Sequence, residues 1–327
     1  MTTQQAWLFT DADQPLELVE LPVPTPAEGE VLLEVKAAGL CHSDVGIITG
    51  VGKGWNAKQP IVLGHEVAGV VAQLGPGVDR FQVGDRVAVS LPVHPIGRGW
   101  TARADAIGLG RDGGYEHYTS ARADELVPIP DGVPFTQAAG ATDSVTTAYH
   151  AVRVTGGVTE GTVIGIIGLG GLGLNGARIA VLAGATVYGV DTNTKVFDAA
   201  REAGLAGVYT DAAELAQHDP DVVIDFAGFG ATTTAAIHNV KGGGRVVLVG
   251  LGVNRAEFDT VELVSRNVTL VGSLGASKDD LVEVGRLISS GDLQPIVTEI
   301  SFEEIPDGLK RLTEGGVIGR LVARIND

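Results

Sequence analysis

A chain of 327 residues with 44% apolar content suits two domains with substantial cores. A formal charge of −17 argues against nucleic acid or an anionic membrane surface as a partner. A single cysteine excludes an intrachain disulfide and fits a reducing compartment. Met1–Trp7 has neither a basic n-region nor an apolar h-region, so no secretory signal is expected. Segment 162–190 is apolar but interrupted by glycines and closed by Asp191, which reads as buried α/β core rather than a membrane span. These features predict a soluble cytoplasmic protein.

Residues 1–135 read as short strands joined by turns. Gln4–Leu8, Leu16–Glu20, Glu30–Ala38, Val67–Leu74, Asp85–Val89, Tyr115–Ser120 and Glu125–Ile129 are alternating or β-rich. Pro22, Pro24 and Pro26 punctuate one connection, and Gly75-Pro76-Gly77 marks a turn. Pro92–Gly114 has no clear period and reads as a long loop. From Thr136 the spacing turns helical, and Ala138–Thr155 predicts a helix.

Val163–Ile167 then leads into Gly168-Leu169-Gly170-Gly171-Leu172-Gly173, a helical stretch to Ala183, a second apolar run Ala185–Val190, and Asp191. Strand, glycine turn, helix, second strand and terminal acid form the order a dinucleotide site needs. Gly168 permits the turn, Gly170 admits the pyrophosphate to the backbone, and Gly173 lets the helix sit close. The helix N-terminus offers free N–H groups to the phosphates. Asp191 would accept from the adenosine ribose hydroxyls and repel a 2′-phosphate. Thr192-Asn193-Thr194 supplies no arginine to receive one, so NAD is favoured over NADP, with Lys195 near the ribose. A glycine-rich βα turn in some other α/β protein is the plain alternative.

Strands at Val222–Asp225, Arg245–Val249 and Thr269–Gly272 alternate with helices at Lys195–Ala203, Ala212–Gln217, Thr232–Asn239 and Thr260–Ser265. That alternation builds a doubly wound parallel sheet. A helix (Asp279–Ser289), a strand (Ile296–Ile300), a helix (Glu304–Glu314) and a final strand (Gly319–Arg324) follow. They are expected to pack back on the first domain. The expected boundaries are 1–143, 144–275 and 276–327.

Two clusters in the first half carry chemistry: Gly39-Leu40-Cys41-His42-Ser43-Asp44 and Gly64-His65-Glu66-Val67-Ala68-Gly69. Cys41 and His65 offer a thiolate and an imidazole, both good zinc ligands, with Glu66 beside them. Catalytic zinc needs three protein ligands, and composition and spacing do not find the third. Taken singly, Cys41 also reads as a small core hydrophobe and His65 as a satisfied buried histidine.

Gly39–Asp44, Gly64–Gly69, Val83–Val87, Gly113-Gly114-Tyr115, Gly168–Gly173 and Asp191 occur in the order seen in zinc-containing medium-chain alcohol dehydrogenases, and the chain resembles that family over nearly its whole length. The resemblance implies an α/β protein: a β-rich GroES-like catalytic domain plus a Rossmann doubly wound parallel sheet, with the active site between them. It implies reversible hydride transfer between NAD(H) and an alcohol, aldehyde or ketone, and one catalytic zinc per chain. Cys41 and His65 match zinc ligands. The family's third ligand position, counted back from Tyr149, is Asp143, whose rival reading is a helix N-cap. Glu66 matches a carboxylate just behind the metal or an alternative fourth ligand, and Asp44 would orient His65 through its other ring nitrogen.

By the same resemblance Ser43 begins the proton relay and His42 contacts the pyrophosphate. Trp55 lines the substrate pocket, though core packing is its rival reading, and Val249 and Leu274 line the nicotinamide pocket. Gly46 stands where many relatives carry the histidine that ends the relay. The four cysteines of a structural zinc are missing, so the 92–114 loop is expected to be held by packing, through Trp100 and Leu109. His94, His117, His150, His218 and His238 match no role. Relatives form dimers or tetramers by pairing edge strands of the nucleotide domain, for which Arg245–Val249 and Thr269–Gly272 are the candidates. Two other readings remain open: a zinc-independent reductase of an activated alkene, imine or quinone, and a non-catalytic NAD-binding protein.

Overall fold

Alternating apolar residues build the first third of the chain almost entirely from strands: β1 (Thr3–Phe9), β2 (Glu17–Pro22) and β3 (Glu30–Gly39). A short helix, α1 (His42–Ile48), follows, then β4 (Ile61–Val62), β5 (Glu66–Leu74), β6 (Arg86–Val89), β7 (Tyr118–Arg122) and β8 (Leu126–Pro128). A computed structural model describes residues 2–52, 54–91 and 105–326. The predicted strand at Tyr115 starts three residues later than expected. Neither α1 nor β4 was expected, because both are too short to show a period.

The helical stretch predicted from Ala138 begins as α2 (Phe135–Gly140). It passes through a π-helical turn, Ala141–Val145, then α3 (Thr146–Tyr149) and a second π-helical turn, His150–Thr155. Then come β9 (Val163–Ile167), α4 (Gly173–Leu182), β10 (Thr186–Val190), α5 (Phe197–Glu202), β11 (Gly207–Tyr209) and β12 (Val222–Asp225). The segment predicted helical at Ala212–Gln217 is 3-10 rather than α. α6 (Ala231–Asn239), β13 (Arg245–Leu248), α7 (Thr260–Ser265) and β14 (Thr269–Gly272) complete this part. The tail adds α8 (Lys278–Ser289), β15 (Val297–Ser301), α9 (Ile305–Glu314) and β16 (Arg320–Arg324).

Contacts divide the chain into one unit of Met1–Ser144 with Ala276–Asp327 and another of Val145–Gly275. In the first, β15-β16-β3-β5-β6-β8 form one sheet, with β7 also paired to β3, and β2-β1-β4 form a second. Leu33, Val35, Ile61, Leu63, Val67, Leu126 and Leu321 are buried together in its core. The tail strand β16 runs antiparallel to β3, with Val322 opposite Gly39, and β3 places Gly39 opposite Glu66.

The second unit is a six-stranded parallel sheet in the order β11-β10-β9-β12-β13-β14. Strand order reverses between β9 and β12, which makes the crevice where ligands bind in doubly wound sheets. β13 lies inside this sheet, so Arg245–Val249 is not an edge; β14 is one. Among the described residues no helix is long and apolar enough to cross a membrane.

The described part of the long loop folds back on Gly64. Gly113 and Gly114 donate their N–H groups to the Val62 and Gly64 carbonyls, at 2.9 and 2.7 Å. Leu109 is buried in the core, as expected. The larger anchor is one that the sequence reading missed, Arg111. Its guanidinium donates to the Asp105 and Ser120 carbonyls at 2.8 and 3.2 Å and pairs with the buried Glu125 carboxylate. Trp100 and His94 lie outside the described residues.

Candidate metal centre and dinucleotide turn

Cys41 caps the N-terminus of α1 in an extended conformation, and Asp44 on the first turn accepts the Cys41 N–H at 3.0 Å. The same carboxylate receives the Tyr115 hydroxyl at 3.0 Å, while its other oxygen lies 3.2 Å from His65 Nδ1. Asp44 is fully buried, so it sets the Cys41 backbone and the His65 ring at once. Turned this way, His65 presents Nε2 to Asp143, 3.7 Å from Oδ2. Asp44 thus faces Nδ1, the His65 ring nitrogen away from Asp143.

Asp143 lies in the π-helical turn, inside the helix and away from any N-cap. π-turns lift one residue out of helical register and often occur at functional sites. Its Oδ2 is 3.5 Å from Cys41 Sγ. Ligand atoms of Cys41, His65, Glu66 and Asp143 all lie within 4.8 Å of one another, and no other such group occurs among the described residues.

A tetrahedral ion with bonds of about 2.0–2.3 Å sets its ligands roughly 3.3–3.7 Å apart. The Cys41–Asp143 and His65–Asp143 separations fall in that range. One sulfur, one imidazole nitrogen and one carboxylate oxygen is a mixed donor set that suits Zn²⁺ rather than the oxygen-only hard cations. The residues fit the metal.

Glu66 is turned elsewhere. Both of its oxygens accept hydrogen bonds from Arg320, one of them from Nε at 2.9 Å, and Arg320 also reaches Asp143 Oδ2 at 3.5 Å. A Cβ at Gly39, the residue between them in the sheet, would overlap the Glu66 carboxylate. Sequence reasoning missed Arg320, which lies far from the motifs in the chain. Its only signal was a basic residue at the start of a tail strand whose centre, Leu321–Ala323, is apolar.

Burial pushes the Asp44 carboxyl up, but the charge and hydrogen bonds of His65, Cys41 and Tyr115 hold it below the usual carboxylate range. Burial opposes protonation of His65, yet the Asp44 charge and the bonds to Asp143 and Asp44 raise it well above the ordinary imidazole value. Each of the two thus favours the charged form of the other.

Gly64 has φ +92°, and a Cβ there would come within 2.6 Å of the Tyr115 ring. The Gly-His-Glu motif and the Gly-Gly-Tyr motif are thus two halves of one contact. Ser43 Oγ lies 3.6 Å from Cys41 Sγ, and His42 is exposed. One turn on from Ser43, Gly46 leaves room for the half-buried Trp55. A Cβ at Gly46 would stand 2.9 Å from the indole, and one at Gly52 would stand 2.6 Å away. The indole thus packs on the backbone at both glycines.

Of the remaining histidines, His117 lies 2.9 Å from Asn326 Oδ1, and His218 stacks on Tyr188 with centroids 3.6 Å apart. His150 is buried and His238 exposed.

In the other unit, Gly168 takes φ +88°, and a Cβ at Gly173 would strike the Gly168 carbonyl. A Cβ at Gly170 would enter open space, which is the room a pyrophosphate needs. Asp191 accepts the Leu169 and Asn193 N–H groups at 2.7 and 2.8 Å. That fixes its carboxylate beside the glycine turn with lone pairs left for ribose hydroxyls. Asn193 Oδ1 accepts the Lys195 N–H at 3.2 Å. Gly171 and Leu172 complete the turn before α4. Val249 follows β13, and Leu274 follows β14 by two residues.

Residues 27–131 match the family model described as alcohol dehydrogenase GroES-like domain, and residues 171–290 match that of zinc-binding dehydrogenase. An alcohol dehydrogenase of Geobacillus stearothermophilus is 31% identical over 331 residues, covering 96% of this chain and 97% of that protein. The structure of acetophenone reductase from Geotrichum candidum in complex with NAD is similar with a TM-score of 0.89 and 34% identity, covering 99% of this chain and 97% of that one. A cobalt- and zinc-bound thermostable alcohol dehydrogenase from Pyrobaculum aerophilum gives a TM-score of 0.87 at 26% identity, covering 99% and 100%.

Proposed function

The chain belongs to the zinc-type medium-chain dehydrogenase/reductase family and is an NAD-dependent oxidoreductase acting on alcohols; we propose that Cys41, His65 and Asp143 hold its catalytic zinc. The observation that carries this reading is the donor spacing around Asp143 Oδ2, 3.5 Å to sulfur and 3.7 Å to nitrogen. Glu66 serves behind the metal site, because Arg320 engages both of its oxygens.

The zinc supplies a Lewis acid that acidifies an alcohol hydroxyl or polarises a carbonyl, and NAD supplies the hydride acceptor. The chain's own residues place the substrate and move its proton. Asp44 holds the His65 ring so that Nε2 faces the donor set. Ser43 takes the hydroxyl proton. Gly46 has no side chain to pass it on and Trp55 covers that turn, so the proton leaves Ser43 by another route. Trp55 walls the substrate space, and His42 meets the pyrophosphate. Gly168, Gly170, Gly171, Leu172 and Gly173 cradle that pyrophosphate. Asp191 takes the ribose hydroxyls with Lys195 nearby, and Val249 and Leu274 border the nicotinamide. No charged residue has been assigned to the substrate, so a neutral alcohol or carbonyl compound fits.

A second copy of this chain is the macromolecular partner that the nucleotide-binding sheet suits. β14 is an edge strand of its sheet, and α7 beside it buries no residue while exposing 68% of Val261 and 76% of Val264. Pairing across β14 would cover an otherwise open edge. The cytoplasm is the compartment that suits a reduced Cys41.

Metal analysis with an NADH absorbance assay on mixed alcohols and ketones tests the reading. It expects zinc near one per chain with turnover. Cys41→Ser and Asp143→Ala should lose metal and alcohol oxidation, by about a hundredfold or more, while NAD binding stays nearly intact. Full activity in a metal-free Asp143→Ala protein refutes the ligand set. Turnover of activated alkenes, imines or quinones without zinc would support the reductase reading instead.

A further inference from the structure

The last residue of β12, Asp225, is fully buried, and neither the metal centre nor the glycine turn uses it. Its carboxylate accepts four hydrogen bonds. Oδ1 receives the Ala227 and Gly228 N–H groups at 3.0 and 2.9 Å; Oδ2 receives the Thr232 and Thr233 hydroxyls, each at 2.8 Å. Its main-chain carbonyl accepts Val249 and Gly250 N–H groups at 3.0 and 3.1 Å. One residue thus ties the loop after β12 to the start of α6 and to the loop after β13.

Those two loops meet backbone to backbone. Gly228 and Gly230 have φ of +67° and +72°, and a Cβ at Gly228 would overlap the Gly250 carbonyl. A Cβ at Gly250 would strike Ala227, and one at Gly252 would meet the Phe229 ring at 2.7 Å. The Val253 N–H closes the contact on the Gly228 carbonyl at 3.1 Å. The same loop reaches the phosphate turn, since a Cβ on Gly168 would come within 3.2 Å of the Ala227 nitrogen.

The position of these loops decides what they serve. A dinucleotide lies across the carboxyl ends of the strands, its pyrophosphate at the glycine turn after β9. Asp191, at the end of β10, takes the ribose on one side of that turn. The other nucleoside therefore lies over β12 and β13, on the backbone that Asp225 shapes. We infer that Asp225 is a positioning residue for the nicotinamide half of the cofactor, acting through the loops 226–230 and 249–253. This rests on the NAD reading above.

ADP-ribose carries the adenosine and pyrophosphate but not the nicotinamide, so it separates local from global effects. Titrations of NADH and ADP-ribose are compared for the wild type, Asp225→Ala and Thr232→Val. Asp225→Ala leaves two N–H groups and two hydroxyls without their acceptor, and NADH should bind about tenfold or more weakly. ADP-ribose affinity should stay within about twofold, since the Gly168–Asp191 side is unaltered. Asp225→Asn, which keeps one carbonyl acceptor, should recover most of the loss. Thr232→Val removes a single link and keeps the test open if Asp225→Ala does not fold; NADH should weaken about threefold with ADP-ribose unchanged. NADH affinity unchanged in folded Asp225→Ala or in Thr232→Val, or equal losses for both ligands, overturns the inference. A wild-type protein that binds neither ligand refutes the NAD reading itself.

Discussion

Replacing Arg320 with Met removes the only cation among the described residues that directly bonds Glu66, and the structure fixes what is left behind. Arg320 is 4% exposed and Glu66 is 0% exposed, so water cannot substitute for the guanidinium. The Glu66 carboxylate would lose both of its charge-assisted hydrogen bonds and keep Asp143 as a neighbouring anion. Breaking one side of such a buried pair costs about 3–5 kcal/mol, which for a chain of this size lowers the melting temperature by roughly 4–7 °C. The assay is thermal and urea unfolding in excess chelator, so that metal binding does not enter the comparison. Replacing both Glu66 and Arg320 with Met removes the stranded charge as well as its partner, and most of the stability should return. A loss below about 1 kcal/mol in Arg320→Met, or a double variant no more stable than the single, would show that Arg320 does not hold a buried charge at Glu66.

Asp44→Ala frees the His65 ring and the Cys41 turn, and zinc affinity should fall about 10–100-fold in a competitive chelator titration; unchanged affinity would remove Asp44 from the site. Asp191→Ala should relax the preference for NAD over NADP in the ratio of kcat/KM values, and an unaltered ratio counts against its ribose role. Glu116 is buried under β1, where Gln4 donates to it at 2.9 Å; burial, with Asp112 adding to it, pushes its carboxyl up to about 8. Its folded pKa lies above the unfolded value, so its stabilising effect is full below about pH 4.5 and is lost as pH rises through about 8. Glu116→Gln should flatten the fall in melting temperature between pH 5 and 9 that this residue causes, by up to about 1.4 kcal/mol per pH unit in the wild type. Parallel pH profiles would show that Glu116 does not titrate there.

Whatever depends on neighbours along the chain can be read from the residues alone. The run Val163–Asp191 encodes strand, turn, helix, strand and acid because side-chain period and the φ values open to glycine are local properties. Cys41 and His65 were visible as metal-binding residue types, and Asp143 became visible only through likeness to a family. Tertiary structure decided how these groups face one another. Strand order sets β16 beside β3 and β3 beside β5, which brings Arg320 across Gly39 to Glu66. Tyr115 reaches Asp44 because Gly64 leaves room for its ring. Trp55 lies on Gly46 and Gly52, and the Val249 and Gly250 N–H groups reach the Asp225 main-chain carbonyl only once two loops have closed on each other. A buried charge needs its partner at bonding distance, but that partner can come from anywhere along the chain, and only the pairing of strands chooses it.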